Sequence, residues 1–252
     1  MAGRPWVLEE IDWTTVRDTA YEVAVLPWGA TEAHNTHLPY GTDNLETVRI
    51  AAAAAQAAWM QGARVVVLPT IPFGVNTQQL DIPLTLNLNP STQALVLRDI
   101  VNSLDGHGVR KLLILNGHGG NDFRAMIREL QPATRLFLCT ANWYQSVPAA
   151  DYFEEPGDHA GELETSLILH LAPDLVRSLD QAGSGRARSF RFDAIRQGWA
   201  WAPRRWTQIT EDTGVGDPRA ASAEKGNVYF AAVTSVLAAF LVDLAAADDV
   251  YI

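Results

Sequence analysis

Three short strings in this 252-residue chain combine histidines with carboxylates at spacings that suit a divalent metal ion. In the first string, Glu32 and His34 stand two residues apart, so on an extended chain both side chains point to the same side. Asp43 follows after a Pro-Tyr-Gly bend that can turn the chain back toward them. Carboxylate oxygens and imidazole nitrogens are common zinc ligands. The string therefore predicts half of a metal site; the alternative is a polar loop with hydrogen-bonded histidines.

The second string, ILNGHGGN, places His118 among glycines directly after an apolar run. Gly119 and Gly120 would let a metal or ligand approach the backbone closely. A phosphate-binding loop is disfavoured because neither GxGxxG nor GxxxxGK[ST] occurs in the chain. A serine-hydrolase oxyanion hole is disfavoured because GxSxG is also missing. We therefore interpret His118 as a second half of the same site.

The third string, DHAGELETS, lies where irregular chain enters a predicted helix. His159 and Glu162 are three residues apart and can share one helix face. Glu164 is predicted to point elsewhere, and its simplest role is that of a carboxylate stabilised by the helix N-terminus.

The elements that must position these side chains follow from hydrophobic patterning. Short, nearly continuous apolar runs predict buried parallel strands at 22–27, 64–69, 111–116 and 135–140. Amphipathic or alanine-rich stretches predict helices at 44–61, 91–106, 121–130, 161–171 and 222–247. Strands that alternate with helices are typical of an α/β sandwich. Ligand sites in such folds lie at the carboxyl ends of the strands, where the first two strings are expected.

The chain shows no Ser/Pro-rich linker, so we expect one domain over residues 1–252. Its irregular part is 181–218, which is rich in Gly, Arg and Trp and is predicted to be a lid or an oligomer contact. Six arginines and one acid lie between Arg186 and Arg205. Solvated surface charge is the plain interpretation of that cluster, and a subunit contact or active-site rim is the sharper one.

Composition narrows the function classes. With 48% hydrophobic and 19% charged residues the chain is typical of a globular protein. A formal charge of −10 argues against general binding to nucleic acid or anionic membranes. The most apolar stretch, 229–247, contains polar residues, and seven of its nineteen residues are alanine, so we expect a buried or interface helix and not a membrane span. Because no targeting signal is evident, we expect a cytoplasmic protein.

Taken together, the chain resembles the creatininase (creatinine amidohydrolase) family. The resemblance is carried by LPWGATEAHNTHLPYGTD, ILNGHGGN, DHAGELETS and GVGDPRAASAEKG, which occur in the family's order and spacing. It implies a three-layer α/β/α sandwich around a mostly parallel sheet and a homo-oligomer, commonly a hexamer. It also implies two divalent metal ions per chain, zinc together with zinc, manganese or iron, which hydrolyse amide bonds of small molecules.

Residue by residue, the resemblance assigns four metal ligands and a catalytic histidine, namely Glu32, His34, Asp43 (bridging), His118 and His159. Creatininases proper carry a fifth ligand, a glutamate, where this chain has Gly120. Relatives with the HGGN form carry a glutamate in the HAGE string instead, so the resemblance implies Glu162 as the fifth ligand.

The resemblance also implies which side chains contact the substrate. Trp143 matches one of the aromatic residues around the creatininase metals, whereas Gly119 replaces another, and no tryptophan precedes His159 closely. With Gly119 and Gly120 opening the pocket, we expect creatinine itself not to be the principal substrate. The leading hypothesis is hydrolysis of a small cyclic amide, formamide or related C–N bond. A metal-dependent peptidase, a lyase or isomerase, and a non-catalytic metal-binding protein stay open as alternatives.

Overall fold

A computed structural model describes residues 3–155 and 157–251. At its centre lies a parallel sheet of four strands, β1 (Val23–Trp28), β2 (Val65–Val67), β3 (Lys111–Asn116) and β4 (Phe137–Asn142). Their order is β2-β1-β3-β4. The chain continues from β1 to β2 on one side of the sheet and from β3 to β4 on the other. The direction of the connections therefore reverses between the neighbouring strands β1 and β3. Open α/β sheets bind ligands at this point, outside the carboxyl ends of the strands.

Eight α-helices flank or extend the sheet. They are α1 (Trp13–Asp18), α2 (Thr42–Met60), α3 (Pro90–Asp105), α4 (Arg124–Leu130), α5 (Glu162–Leu171), α6 (Asp193–Arg196), α7 (Trp206–Ile209) and α8 (Ala223–Ala246) among the described residues. Asp12 accepts a hydrogen bond from the Thr15 amide at 2.9 Å and so begins α1. Ser222 begins α8 in the same way, through the Lys225 amide at 3.2 Å.

The two faces of the sheet are covered by different helices, because successive strand residues point to opposite sides. On one face Val23, Val25 and Leu113 pack against α2, α5 and α8. On the other, Ala24 and Leu112 pack against α3 and α4. This arrangement confirms the predicted three-layer α/β/α sandwich with a parallel sheet.

Helix α8 crosses α5 at very close range. A Cβ atom on Gly226 would stand 1.9 Å from the carbonyl oxygen of Ser166, so only glycine fits at this crossing. The Ser222 amide donates to Ser166 Oγ at 3.2 Å and ties the start of α8 to α5. By length and apolar composition α8 could cross a membrane. One of its faces, with Tyr229, Val233 and Leu237, packs into the core against α2 and α5.

Two predicted boundaries are shifted by contacts with distant parts of the chain. Strand β4 lies two residues later than predicted, since its last three residues pair in register with the end of β3. Helix α4 begins at Arg124 and not at residue 121. Asn121 is buried and accepts hydrogen bonds from the Val75 amide at 3.0 Å and from Gln93 Nε2 at 2.8 Å, which holds it in the loop.

The irregular segment 181–218 contains two short helices, α6 and α7, and an isolated antiparallel bridge between Ala187 and Thr210. Its tryptophans have different environments. Trp206 is buried at 2% exposure, whereas Trp199 and Trp201 are 76% and 83% exposed. Of these three tryptophans, Trp206 alone is enclosed by the described part of the chain.

Candidate metal centre

Asp43 lies at the middle of the cluster, in the first turn of α2, and is 2% exposed. Its two carboxylate oxygens face different histidines. Oδ1 lies 2.8 Å from His34 Nε2, and Oδ2 lies 2.9 Å from His118 Nδ1. A carboxylate with one oxygen toward each of two imidazoles has the arrangement of a ligand that bridges two metal ions.

Each of the three histidines is oriented by a backbone carbonyl. His34 Nδ1 lies 3.1 Å from the Glu32 carbonyl, His118 Nε2 lies 3.1 Å from the Val75 carbonyl, and His159 Nε2 lies 2.7 Å from the Ala33 carbonyl. Because a carbonyl only accepts, the nitrogen facing it must donate its N–H. The other ring nitrogen is then aimed into the cluster and can carry a lone pair, as in metal-binding histidines.

A second carboxylate accompanies each half of the cluster. Glu32 Oε1 lies 3.0 Å from His118 Nδ1, and Gln79 Nε2 donates to Glu32 Oε2. On the other side, Glu164 Oε1 lies 3.9 Å from His34 Nε2, and the Ala160 amide donates to Glu164 Oε2. Among the described residues three three-residue sets could hold an ion, and two of them share Asp43, namely Glu32–Asp43–His118 and His34–Asp43–Glu164. The third set is Glu32–His34–His159.

The structure does not bring Glu162 into this cluster, and here the sequence-based choice needs correction. Glu162 is the first residue of α5, and its carboxylate pairs with Lys225 Nζ and accepts from the Glu155 amide at 3.0 Å. Glu164 faces His34 instead. Residues two apart on a helix project about 200° apart, so only one of the two can face the cluster. Burial of Leu163 and Leu167 in the core fixes which one does so.

Buried polar atoms that lack a partner show that the cluster fits metal ions. Within the described residues, His34 Nε2 and Asp43 Oδ2 are fully buried and make no hydrogen bond of acceptable geometry. Each nevertheless lies within 3 Å of a polar atom of the cluster, His34 Nε2 near Asp43 Oδ1 and Asp43 Oδ2 near His118 Nδ1. Buried polar groups are nearly always satisfied, so such atoms call for a bound partner. Imidazole and carboxylate donors at this spacing suit zinc, manganese or iron.

Electrostatics support the same conclusion. Burial lowers the pKa of His34, but attraction to Asp43 and to the neighbouring glutamates outweighs it and raises the pKa to about 10. Burial likewise raises the pKa of Asp43, but His34 and His118 outweigh it and hold that pKa below its usual range. The carboxylates thus create a strongly negative potential, and without a cation this potential favours protonated histidines. Metal ions at the same place would displace those protons.

Backbone strain lies next to two of these histidines. Asn35 and Ala160, which directly follow His34 and His159, have φ values of 54° and 51°. Asparagine tolerates this left-handed conformation, but alanine does not adopt it readily. Strained residues of this kind concentrate at functional sites. At Ala160 the conformation aims the amide N–H at Glu164.

A cavity of about 270 Å³ opens onto the cluster. Trp143, Gly119 and Gly120, predicted to contact substrate, all line it, as do His118 and His159. A Cβ atom on Gly120 would stand 2.5 Å from His118 Nε2, whereas one on Gly119 would meet nothing within 4 Å. The glycine at 120 is therefore required by the packing of His118, and the glycine at 119 leaves open space.

Sequence reasoning missed Gln79 at this cavity, because it lies in a short 3-10 helix without hydrophobic periodicity. Arg204 and Trp206 also line the cavity, and Arg204 belongs to the arginine cluster for which an active-site rim was the sharper interpretation. Trp206 packs edge-on against His159, with ring centroids 5.1 Å apart, and supplies an aromatic face where none was expected near that histidine. Glu164 shares a helix face with Ile168, which packs against Leu38 of the first string, a contact that the sequence alone does not show.

Comparisons with known proteins agree with this geometry. Residues 9–241 match the sequence model of the creatininase family, described as creatinine amidohydrolase. A solved Bacteroides fragilis protein, provisionally named creatinine amidohydrolase, is 42% identical and superimposes with a TM-score of 0.92 over 98% of both chains.

Two curated relatives differ in their reactions. The mycofactocin precursor peptide peptidase of Mycolicibacterium smegmatis is 31% identical over 220 residues, which are 83% of this chain and 80% of that protein. The creatinine amidohydrolase of Pseudomonas putida is 29% identical over 181 residues, 61% of this chain and 66% of that protein. The family match spans most of the chain, and this protein belongs to the creatininase family of amidohydrolases.

Proposed function

We propose that this chain is a dinuclear metal-dependent amidohydrolase that cleaves a non-peptide C–N bond of a small molecule. The observation that carries the proposal is the position of Asp43, whose two oxygens face two histidines that each have a further carboxylate beside them. One ion would be held by Glu32, Asp43 and His118, and the other by His34, Asp43 and Glu164. Glu164 would thus take the role that the family resemblance implied for Glu162.

Bound together, two divalent ions supply a polarised carbonyl and a water activated near neutral pH. The chain's own contribution is to hold and orient. Gln79 donates to Glu32 and fixes the direction of that carboxylate. His159 is anchored through Nε2 on the Ala33 carbonyl, so its Nδ1 faces the cavity, 3.8 Å from Glu32 Oε1.

His159 is placed to handle a proton. It lines the cavity, lies outside the set built around Asp43 and stacks at 4.2 Å on His34. Protonated at Nδ1, it can donate to the nitrogen that leaves when the amide is cleaved, or stabilise negative charge on the former carbonyl oxygen. No serine or cysteine nucleophile is needed for this chemistry.

A peptidase is the second candidate, because the mycofactocin peptide peptidase is 31% identical to this chain. The size of the cavity favours the first candidate. A cavity of about 270 Å³ lies near the lower end of the range of small-molecule sites, about 300–1,000 Å³.

The test combines metal analysis with a hydrolysis screen. We expect about two divalent ions per chain in wild type and fewer than 0.2 in Asp43→Ala, since one carboxylate serves both positions. Asp122→Ala is the matched control, because Asp122 is exposed and lies close to the second string. Release of ammonia, amine or formate from cyclic amides and formamides supports the proposal. Cleavage of short peptides alone would favour the peptidase, and full metal content in Asp43→Ala would refute the shared site.

A further inference from the structure

The irregular segment 181–218 contributes part of the cavity wall, through Arg204 and Trp206. Trp206 is buried, packs against His159 and donates through Nε1 to the Thr213 carbonyl at 3.0 Å. It is therefore fixed in position and forms a platform beside the proton-handling histidine.

Arg204 rests on that platform. Its guanidinium carbon lies 4.7 Å from the centroid of the Trp206 ring, a cation–π arrangement, and its Nη1 pairs with Asp158 Oδ2. The side chain is 37% exposed. Stacking and pairing together hold the planar group in one orientation, so little conformational freedom is lost when it binds a further partner.

Among the described residues that line the cavity, Arg204 is the only lysine or arginine. The acidic residues there are Glu32, Asp43, Asp158 and Glu164. Three of these four belong to the metal cluster. The cavity is thus divided into an end that attracts cations and a rim that presents a single guanidinium.

Asp158 leaves much of this guanidinium available. An arginine has five N–H donors, and within the described chain Asp158 accepts the one side-chain hydrogen bond that Arg204 makes. A second anion can approach the remaining donors. The neighbouring Asp158 carboxylate would repel a phosphate dianion more strongly than a singly charged carboxylate, which also matches the planar guanidinium fork better.

We propose that Arg204 determines specificity by binding a carboxylate that the substrate carries away from its scissile amide. This inference rests on the proposed function, since it names the substrate class of the same site. The competing explanation is that Arg204 only ties its segment to the loop at Asp158.

Calorimetric titration of the zinc-loaded protein with glutarate and with pentanoate separates the two explanations. Both acids have five carbons, and only glutarate has a second carboxylate for Arg204. We expect glutarate to bind about tenfold more tightly, the effect of one charge-assisted hydrogen bond. Succinate and adipate, paired with butanoate and hexanoate, extend the comparison over chain length.

Variants assign the effect to one residue. R204Q should remove the advantage of the second carboxylate, and R204K should restore part of it. R205Q is the matched control, because Arg205 is its exposed neighbour outside the cavity and should leave the advantage intact. D158N should increase the advantage, because it removes the competing carboxylate.

Three binding results would overturn the proposal. They are equal binding of mono- and dicarboxylates at every chain length, an equal loss in R204Q and R205Q, and 4-phosphonobutyrate binding more than tenfold more tightly than glutarate. Hydrolysis of amides with no preference for acidic ones would refute this inference and leave the proposed function standing. Arg204-dependent glutarate binding without hydrolysis of any amide would do the reverse.

Discussion

Exchanging Glu164 or Glu162 for glutamine distinguishes a metal-binding carboxylate from a structural one two residues away. Glu164 uses Oε2 to accept the Ala160 amide and points Oε1 toward His34. In Glu164→Gln the single side-chain oxygen remains with the Ala160 amide, so an NH₂ group replaces Oε1 at the metal position. An NH₂ group has no lone pair to offer, and the half-site keeps only His34 and Asp43.

The size of the effect follows from that count. Removing a group that merely supports a ligand weakens metal binding 10- to 100-fold, so losing one of three ligands should weaken it by more than about 100-fold. Metal content should then fall from about two ions per chain to about one, because Glu32, Asp43 and His118 are untouched. Activity should be lost with the second ion.

Glu162→Gln should behave differently, because Glu162 pairs with Lys225 and does not reach the cluster. We expect two ions per chain, near-normal activity and a melting temperature lowered by a few degrees. Elemental analysis after gel filtration, with activity and thermal melts on the same samples, measures all three. One ion in Glu162→Gln together with two in Glu164→Gln would refute the geometric argument.

Three further outcomes are expected. Gly120→Ala should lose metal, because its Cβ would stand 2.2 Å from the Val75 carbonyl and would displace His118. Gly119→Ala should keep its metal, and equal metal content in the two variants would contradict this packing argument. Burial, reinforced by nearby carboxylates, raises the pKa of Glu46 well above 4.5, so above that pH the unfolded state releases a proton that the folded state retains. The free energy of unfolding, relative to that of Glu46→Gln, should therefore fall by up to about 1.4 kcal/mol per pH unit between pH 5 and pH 7. Urea unfolding of both proteins measures this, and a difference that does not change with pH would show that Glu46 is already ionised in the folded protein. Creatinine should be turned over with kcat/KM below about 10⁴ M⁻¹s⁻¹ in steady-state assays, since Gly119 offers no ring to stack on it, and a higher value would show that the remaining aromatic faces suffice.

Much of the fold was predictable because three of its four described strands are buried along their whole length. The run Lys111–Asn116 is apolar almost throughout and became β3 with the predicted bounds. Boundaries that depend on partners were less accurate. Strand β4 takes its end from pairing with β3, and α4 starts late because the Asn121 side chain is held by distant groups.

In the candidate site, too, residues set by local sequence were predictable and those set by distant contacts were not. Local spacing was enough to nominate Glu32, His34 and Asp43, which lie within one loop and the start of α2. The choice between Glu162 and Glu164 depends on the rotation of α5 about its axis. That rotation is set by contacts with α8, far along the chain, and spacing within a nine-residue string does not report it.

The close crossing at Gly226 has a consequence for the order in which the protein matures. Glu32, Asp43 and His118 are all synthesised within the first 118 residues, in the loops after β1 and β3 and at the start of α2. Helix α8, made more than fifty residues after α5, packs against both α2 and α5. A single domain generally folds as a unit. The two metal positions should therefore become competent together, once α8 has been synthesised and packs at Gly226.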